Sequence, residues 1–230
     1  MLIHALASDY DGTLATRGVV TDSTVAALER LKASGRKLVL VTGRELPDLK
    51  AVFPRLHLFD AVVAENGALL YWPGTGEARP LGPPPSPAFV AALKARGVAP
   101  LSIGRSIVAT LDTQAEAVEA AIRDTGVAWQ VILNKESVMC LPPGVNKASG
   151  LLAALAALDI APANVLGVGD AENDHALLRA CGLSAAVANA LPLLKADADV
   201  VTPGAEGAGV TWLIDRLLDG SLLADRAAAP

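Results

Sequence analysis

Little of this sequence is aromatic, 3% of its residues, so its interior has to be filled by aliphatic and small side chains packed closely between helices and a sheet. Cysteine is scarcer still. Cys140 and Cys181 stand far apart with no metal-ligand spacing, which excludes a disulfide framework or a cysteine metal site and leaves two small buried thiols. Basic residues are outnumbered, 19 Lys and Arg against 24 Asp and Glu, a net charge of −5. That balance excludes a broad nucleic-acid surface, and any anionic ligand has to find positive charge locally. No apolar run approaches the roughly 18 residues of a membrane-spanning helix. No basic segment precedes the first apolar residues, and Asp9 and Asp11 interrupt any leader core. The expectation is a soluble, cytoplasmic protein that touches neither nucleic acid nor membrane. What is abundant is apolar aliphatic character, 52% hydrophobic residues in a chain of 230. That length suffices for one sizeable core, or for a core with a smaller inserted domain.

Residues 2–7 form a short apolar run that ends in Ser8-Asp9-Tyr10-Asp11-Gly12-Thr13, the pattern of a strand that stops at a turn. Side chains two apart on an extended segment share a side, so Asp9 and Asp11 face one small volume and Tyr10 faces away. Adjacent carboxylates repel. A divalent cation or a retained proton relieves the pair; the alternative is a polar strand end entering an Asp-Gly turn.

Behind this start the chain alternates. A helix over residues 21–34, capped by Thr21 or Asp22 and stopped by Gly35, precedes a continuous apolar strand over 37–42. Gly43 and Arg44 follow it, then a polar start to a helix running to about residue 53, and 61–64 is a third strand ending at Glu65-Asn66-Gly67. Strand-helix-strand repetition predicts a parallel sheet with right-handed crossovers and helices on both faces. Between about residues 68 and 145 the character changes. A strand over 69–72, a proline-rich loop over 79–87, helices over 86–96 and 113–124, a strand over 107–111 and a hairpin around Asn134-Lys135 read as an α+β insertion. The alternation then resumes, with a helix from Lys147, a strand over 164–169 running into Asp170, and further short strands and helices to 218; residues 220–230 read as a tail. The fold class is therefore α/β, a doubly wound Rossmann-like parallel-sheet core of residues 1–68 and 146–230 with an inserted α+β cap of residues 69–145.

Four polar signals fall at strand ends or a helix start: Asp9 with Asp11, Thr42, Lys147, and Asp170 with Asp174. Ligands of open α/β sheets bind beyond the carboxyl ends of the strands, so these groups can converge there. Asp9, Asp11 and Asp170 offer oxygen ligands suited to magnesium, Thr42 a hydroxyl and Lys147 a compact positive charge. Together they describe phosphoryl transfer, where catalysis is mostly positioning and charge neutralisation. Taken singly, Thr42 reads as a helix cap, Lys147 as a surface lysine and residues 170–174 as a solvated turn. Arg44 either contacts substrate or pairs with an acid, and Asn66-Gly67 reads as a tight turn at the domain junction, with substrate contact the weaker alternative. The histidines and tryptophans receive no catalytic role.

With Asp9-Tyr10-Asp11-Gly12-Thr13, Val41-Thr42-Gly43-Arg44, Asn146-Lys147 and Gly169-Asp170-Ala171-Glu172-Asn173-Asp174 in this order, the sequence resembles the haloacid dehalogenase superfamily of aspartate-nucleophile phosphatases, in the branch whose cap lies between the second and third motifs. The resemblance covers the core, and the cap in position alone. It implies that Asp9 attacks phosphorus to form an aspartyl-phosphate and that Asp11 protonates the leaving oxygen, then deprotonates the hydrolytic water. It implies Mg2+ held by Asp9, the backbone carbonyl of Asp11 and Asp170, with Asp174 supporting the metal shell. It further implies phosphate contacts from Thr42, Gly43, Arg44, Lys147 and Asn173. The implied activity is hydrolysis of a small phosphorylated metabolite, a sugar phosphate or similar organic phosphate, by a monomer or homodimer. Two alternatives differ in class: a sugar phosphomutase, and a binding or regulatory protein on a retired catalytic fold.

Overall fold

The computed structural model of the chain describes residues 2–134 and 136–223. In chain order the elements are β1 (Ala5–Ser8), α1 (Asp22–Ala33), β2 (Lys37–Val41), α2 (Leu46–Val52), β3 (Ala61–Ala64), β4 (Leu69–Trp72), β5 (Glu77–Pro80), α3 (Pro87–Ala95), β6 (Ser102–Ile103), β7 (Val108–Leu111), α4 (Ala115–Thr125), β8 (Gln130–Asn134), β9 (Ser137–Leu141), α5 (Lys147–Ala157), β10 (Val165–Gly169), α6 (His175–Arg179), β11 (Leu183–Ala186), α7 (Pro192–Asp197), β12 (Val200–Val201) and α8 (Glu206–Leu218).

The main sheet runs β12-β11-β10-β1-β2-β3-β4-β5. Its first six strands are parallel, and β4 and β5 continue it antiparallel. Period-two alternation sorts each strand's side chains between two cores. Leu6, Leu38, Leu40, Val62 and Leu166 pack under Val25, Leu28 and Leu31 of α1 and Val210, Leu213 and Ile214 of α8. Ala5, Ala7, Val39, Val41 and Val63 pack under Leu151, Ala154 and Leu155 of α5 and Leu177 of α6. Each such leucine, withdrawn from water, contributes about 1.5–3 kcal/mol. The small alanines on the α5 side bring that helix close. Gly150 of α5 has its Cα against Val63 and Gly67, where a β-carbon would lie 2.7 Å from Gly67 Cα.

Chain order reverses beside β1, which is flanked by β10 on one side and β2 on the other. That reversal opens a crevice at the carboxyl ends of the central strands, and Asp9, Thr42 and Asp170 directly follow β1, β2 and β10. Above the crevice stands a second, antiparallel sheet, β6-β7-β9-β8. One face of it is covered by α3 and α4 through Phe89, Leu93, Val118 and Val138. Ile107, Met139 and Leu141 belong to a separate cluster with Ala68 and Val145, at the junction with the main sheet.

The α/β core is as the pattern predicts, and three details differ. Residues 69–80 fall beyond the expected end of the first core segment, yet β4 and β5 hydrogen-bond to β3 and to each other as an extension of the main sheet. Periodicity reports that a segment is a strand and is silent on which sheet takes it. Arg79 and Pro80, expected in a structureless loop, end β5; a proline is tolerated there because the outer edge needs no donor. At the carboxyl end, residues 221–223 are helical and Leu222 joins the core; the rest of the expected tail, 224–230, and Lys135 of the expected hairpin turn lie outside the described residues. Among the described residues no helix is long and apolar enough to cross a membrane.

Candidate active site

Every side chain singled out from the sequence for chemistry, except Asp174, lines a single cavity of about 590 Å3. Asp9, Asp11, Thr42, Gly43, Arg44, Lys147, Asp170 and Asn173 form its core wall, and Asn134, Glu136, Ser137 and Met139 reach it from the β8–β9 hairpin. That volume matches a small metabolite.

Each group is delivered by a local device. Asp9 is the first residue past β1 and its N–H still donates to Val168 O at 3.0 Å. Tyr10 turns the other way into the core, its hydroxyl donating to Gly18 O at 2.8 Å. Gly12, at φ 81°, lets the chain fold back so that Leu14 N and Ala15 N reach Tyr10 O. Lys147 is the first residue of α5, whose start is fixed by a capping box. Asn146 Oδ1 accepts from Ser149 N, and Asn146 N donates to Ser149 Oγ, each at 3.0 Å. The position of α5 depends on Gly67, at φ 107°, where a β-carbon would overlap the Asn146 carbonyl. Gly67→Ala is therefore expected to destabilise by about 3 kcal/mol and to lower activity by displacing Lys147, checked by urea midpoint and turnover.

The polar centre is short of positive charge. Lys147, 2% exposed, donates to Asp9 Oδ1 and Asp174 Oδ1, both at 2.6 Å. Asp174 Oδ2 accepts from Asp170 N and Ala171 N at 3.0 Å, and Asp170 Oδ1 accepts from Thr13 Oγ1 at 3.1 Å. The ammonium thus bonds two of three buried carboxylates, each of which offers an oxygen within 4.8 Å of the others. Burial is the largest influence on Asp9 and pushes its carboxyl up to about 8; Lys147 pulls it down, and Asp174 and Asp170 push it further up. Lys147 goes the opposite way to its own burial, raised by Asp174 and then Asp9. Lys147 is therefore the secured charge, and Asp9, although it accepts from Lys147, is the carboxylate that burial disfavours as an anion. An all-oxygen set with excess negative charge fits a hard divalent cation.

Asp174, expected to support a metal shell, has both oxygens engaged, one by Lys147 and the other by the backbone of the 170–171 loop. It shapes the loop that presents Asp170. Arg44, left open between substrate and an acid, pairs with acids: Nε to Asp11 Oδ2 at 2.6 Å, Nη2 to Asp11 Oδ1 at 2.8 Å and Nη1 to Asp48 Oδ2 at 2.6 Å. Thr42 Oγ1 accepts from Arg44 N at 3.1 Å, a bond within the loop before α2, whose N-cap is Glu45, so Thr42 lines the cavity and does not cap that helix. Sequence reasoning missed Asp48 and all four hairpin residues. Asp48 carries a signal in its i,i+4 spacing from Arg44. The hairpin residues carry none, because β8 and β9 reach the cavity only through the placement of the second sheet. Met139 shows how close that placement is: a β-carbon on Gly43 would lie 2.8 Å from Met139 Cε.

Comparisons with known proteins point one way. The sequence profile of the haloacid dehalogenase-like hydrolases matches residues 6–76 and 107–214. A phosphoglycolate phosphatase of Methanothermobacter thermautotrophicus is 33% identical over 224 residues, covering 94% of this chain and 99% of that protein. Among solved structures, a haloacid dehalogenase-like hydrolase from Bacteroides thetaiotaomicron superposes with a TM-score of 0.79 at 18% identity, over 94% of this chain and 99% of that one. A sugar phosphatase of haloacid dehalogenase subclass IIB superposes with a TM-score of 0.69 at 20% identity, over 86% and 92% of the two chains.

Proposed function

The chain belongs to the haloacid dehalogenase-like hydrolases, and from that premise we propose that it is a magnesium-dependent phosphatase of a small phosphorylated metabolite, working through an aspartyl-phosphate on Asp9. The observation that carries this reading is the convergence of Asp9, Asp11, Thr42, Lys147 and Asp170 on one cavity of metabolite size.

Asp9, the carbonyl of Asp11 and Asp170 are the residues to hold Mg2+, with Asp174 behind them. Bound there, the ion supplies positive charge to the phosphoryl oxygens and keeps Asp9 ionised. The remaining steps belong to the protein. Asp9 attacks phosphorus, the P–O ester bond breaks, and the leaving oxygen takes a proton from Asp11. Water then attacks the aspartyl-phosphate, gives its proton to Asp11, and inorganic phosphate departs with Asp9 regenerated. Thr42, the backbone of Gly43 and Arg44, and Asn173 orient the phosphoryl group, while Lys147 offsets its developing charge. Asp11 is held by Arg44 on both oxygens, so delivering a proton to a leaving oxygen requires it to exchange Arg44 for substrate. The hairpin residues Asn134, Glu136, Ser137 and Met139 also line the cavity, which supports a role for them in selecting the leaving group.

Substrates to compare first are phosphoglycolate, the substrate in the name of the 33% identical relative, and sugar phosphates, in keeping with the subclass IIB neighbour. Phosphate release from such a panel is expected with magnesium and absent with chelator. At a magnesium concentration 100-fold above its Kd the folded chain gains about 2.7 kcal/mol, a thermal shift that Asp170→Asn is expected to remove. A chain that releases phosphate equally well in chelator overturns the metal assignment. Isomerised hexose phosphate without free phosphate replaces the hydrolase by a mutase.

A further inference from the structure

The four motifs leave one segment beside the site unused. Glu65-Asn66-Gly67 follows β3 with successive positive φ angles of 53°, 53° and 107°, a region glycine enters freely, asparagine tolerates and glutamate rarely adopts. Backbone of this kind persists where its surroundings over-determine it, and here the surroundings are the loops of the site. Glu65 N donates to Arg44 O and Asn66 N donates to Thr42 O, each at 2.9 Å, so the turn holds the loop that carries the Thr42 hydroxyl. Gly67 seats the first turn of α5, from which Lys147 extends. The Glu65 carboxyl accepts from Arg105 N at 3.0 Å and Ser106 N at 2.9 Å, tying the β6–β7 loop of the second sheet to the same turn.

The Asn66 side chain completes the set. It is fully buried, and its Oδ1 accepts from Asn173 Nδ2 at 2.9 Å, across 107 residues of sequence. Asn66 Nδ2 and Asn173 Oδ1 are buried with no hydrogen-bond partner among the described residues, and Asn173 lines the cavity. Rotating both amides by half a turn keeps a bond between them and puts a donor where Asn173 now presents an acceptor. Asn66 does not line the cavity and Asn173 is 8% exposed, so the unpartnered atoms lie just behind the wall, where small movements of the Asn173 amide bring its free end to a ligand or water that completes the hydrogen bonding.

We propose that Asn66 is a positioning residue of the phosphoryl site. Its amide fixes the amide of Asn173 at the cavity wall while its backbone fixes the Thr42 loop, so the two contacts keep one spacing. The inference rests on the phosphatase reading for its chemistry and on the Asn66–Asn173 pair for its geometry.

Asn66→Gly isolates the amide, because glycine keeps the left-handed backbone and its bond to Thr42. Contacts to oxygens that gain charge in the transition state act on kcat. On the best phosphate ester of the panel, kcat is expected to fall about tenfold or more with KM within about threefold. Asn173→Ala is expected to give a similar loss, and the double variant no more than about twofold beyond either. In the metal-free protein, exchange of the Asn173 side-chain amide protons, read by NMR, is expected to speed up about tenfold in Asn66→Gly. A kcat within twofold of the native chain, losses that multiply in the double variant, or unchanged amide exchange overturns the proposal. A native chain that hydrolyses no ester defeats the phosphatase reading instead, and the exchange measurement still decides the pairing.

Discussion

Asp9→Asn is expected to lower magnesium-dependent phosphate release by about 10^4-fold or more, the scale seen when a covalent nucleophile is removed, while leaving the fold as stable as before or more so. The two halves of this expectation have one origin. Asparagine keeps the size of the side chain and an oxygen that accepts from Lys147 Nζ, now at 2.6 Å from Asp9 Oδ1, so packing survives. It has no ionised oxygen to attack phosphorus. It also removes one of the two buried carboxylates bonded to Lys147, in a group of three crowded acids, and the one that burial already disfavours as a charge. Urea unfolding in chelator reads the second half. If Asp9→Asn keeps activity within tenfold of the native chain, the nucleophile lies elsewhere; if it unfolds much earlier, the crowding of charge at the site is overstated.

The parts of this site that are legible in the sequence are those whose chemistry and position are written in one short string. An apolar run that stops at an acid places Asp9 and Asp170 past strands, and the run ending at Thr42 does the same on β2. The helix start at Lys147 is equally local, following the Asn146 cap that pairs with Ser149 three residues on. What the sequence does not disclose depends on where separate elements come to rest. Met139 lies against Gly43 because a second sheet stands over the first, and no periodicity in β9 encodes that. β4 reads as a strand without naming the sheet it joins. Arg44 is visible as a charged step after Gly43, yet whether it meets substrate or acid is decided by Asp11 and Asp48 arriving at the same point. Asn66 is hardest of all, since its signal is a left-handed backbone and a partner at Asn173, neither of which has a spacing to search for.

Lys147→Met is expected to be among the most destabilising substitutions in the chain when metal is absent, by about 3–5 kcal/mol. Methionine fills the volume of the buried stem and supplies no charge, so Asp9 and Asp174, 6% and 0% exposed at their side chains, are left facing Asp170 with no cation. Desolvated carboxylates in that position either take up protons or draw in water, and both raise the energy of the folded state. The same logic fixes the control. Adding Asp9→Asn to Lys147→Met removes one of the stranded charges, and a large part of the loss is expected to return, so the two changes combine to much less than their sum. Magnesium is expected to narrow the gap between Lys147→Met and the native chain, because the ion and the ammonium neutralise overlapping charge. Midpoints in urea, with chelator and with magnesium, decide the matter. If Lys147→Met unfolds with the native chain, or if the double variant is simply additive, the ammonium is not what holds these carboxylates together, and the cation the site needs is already supplied by something other than Lys147.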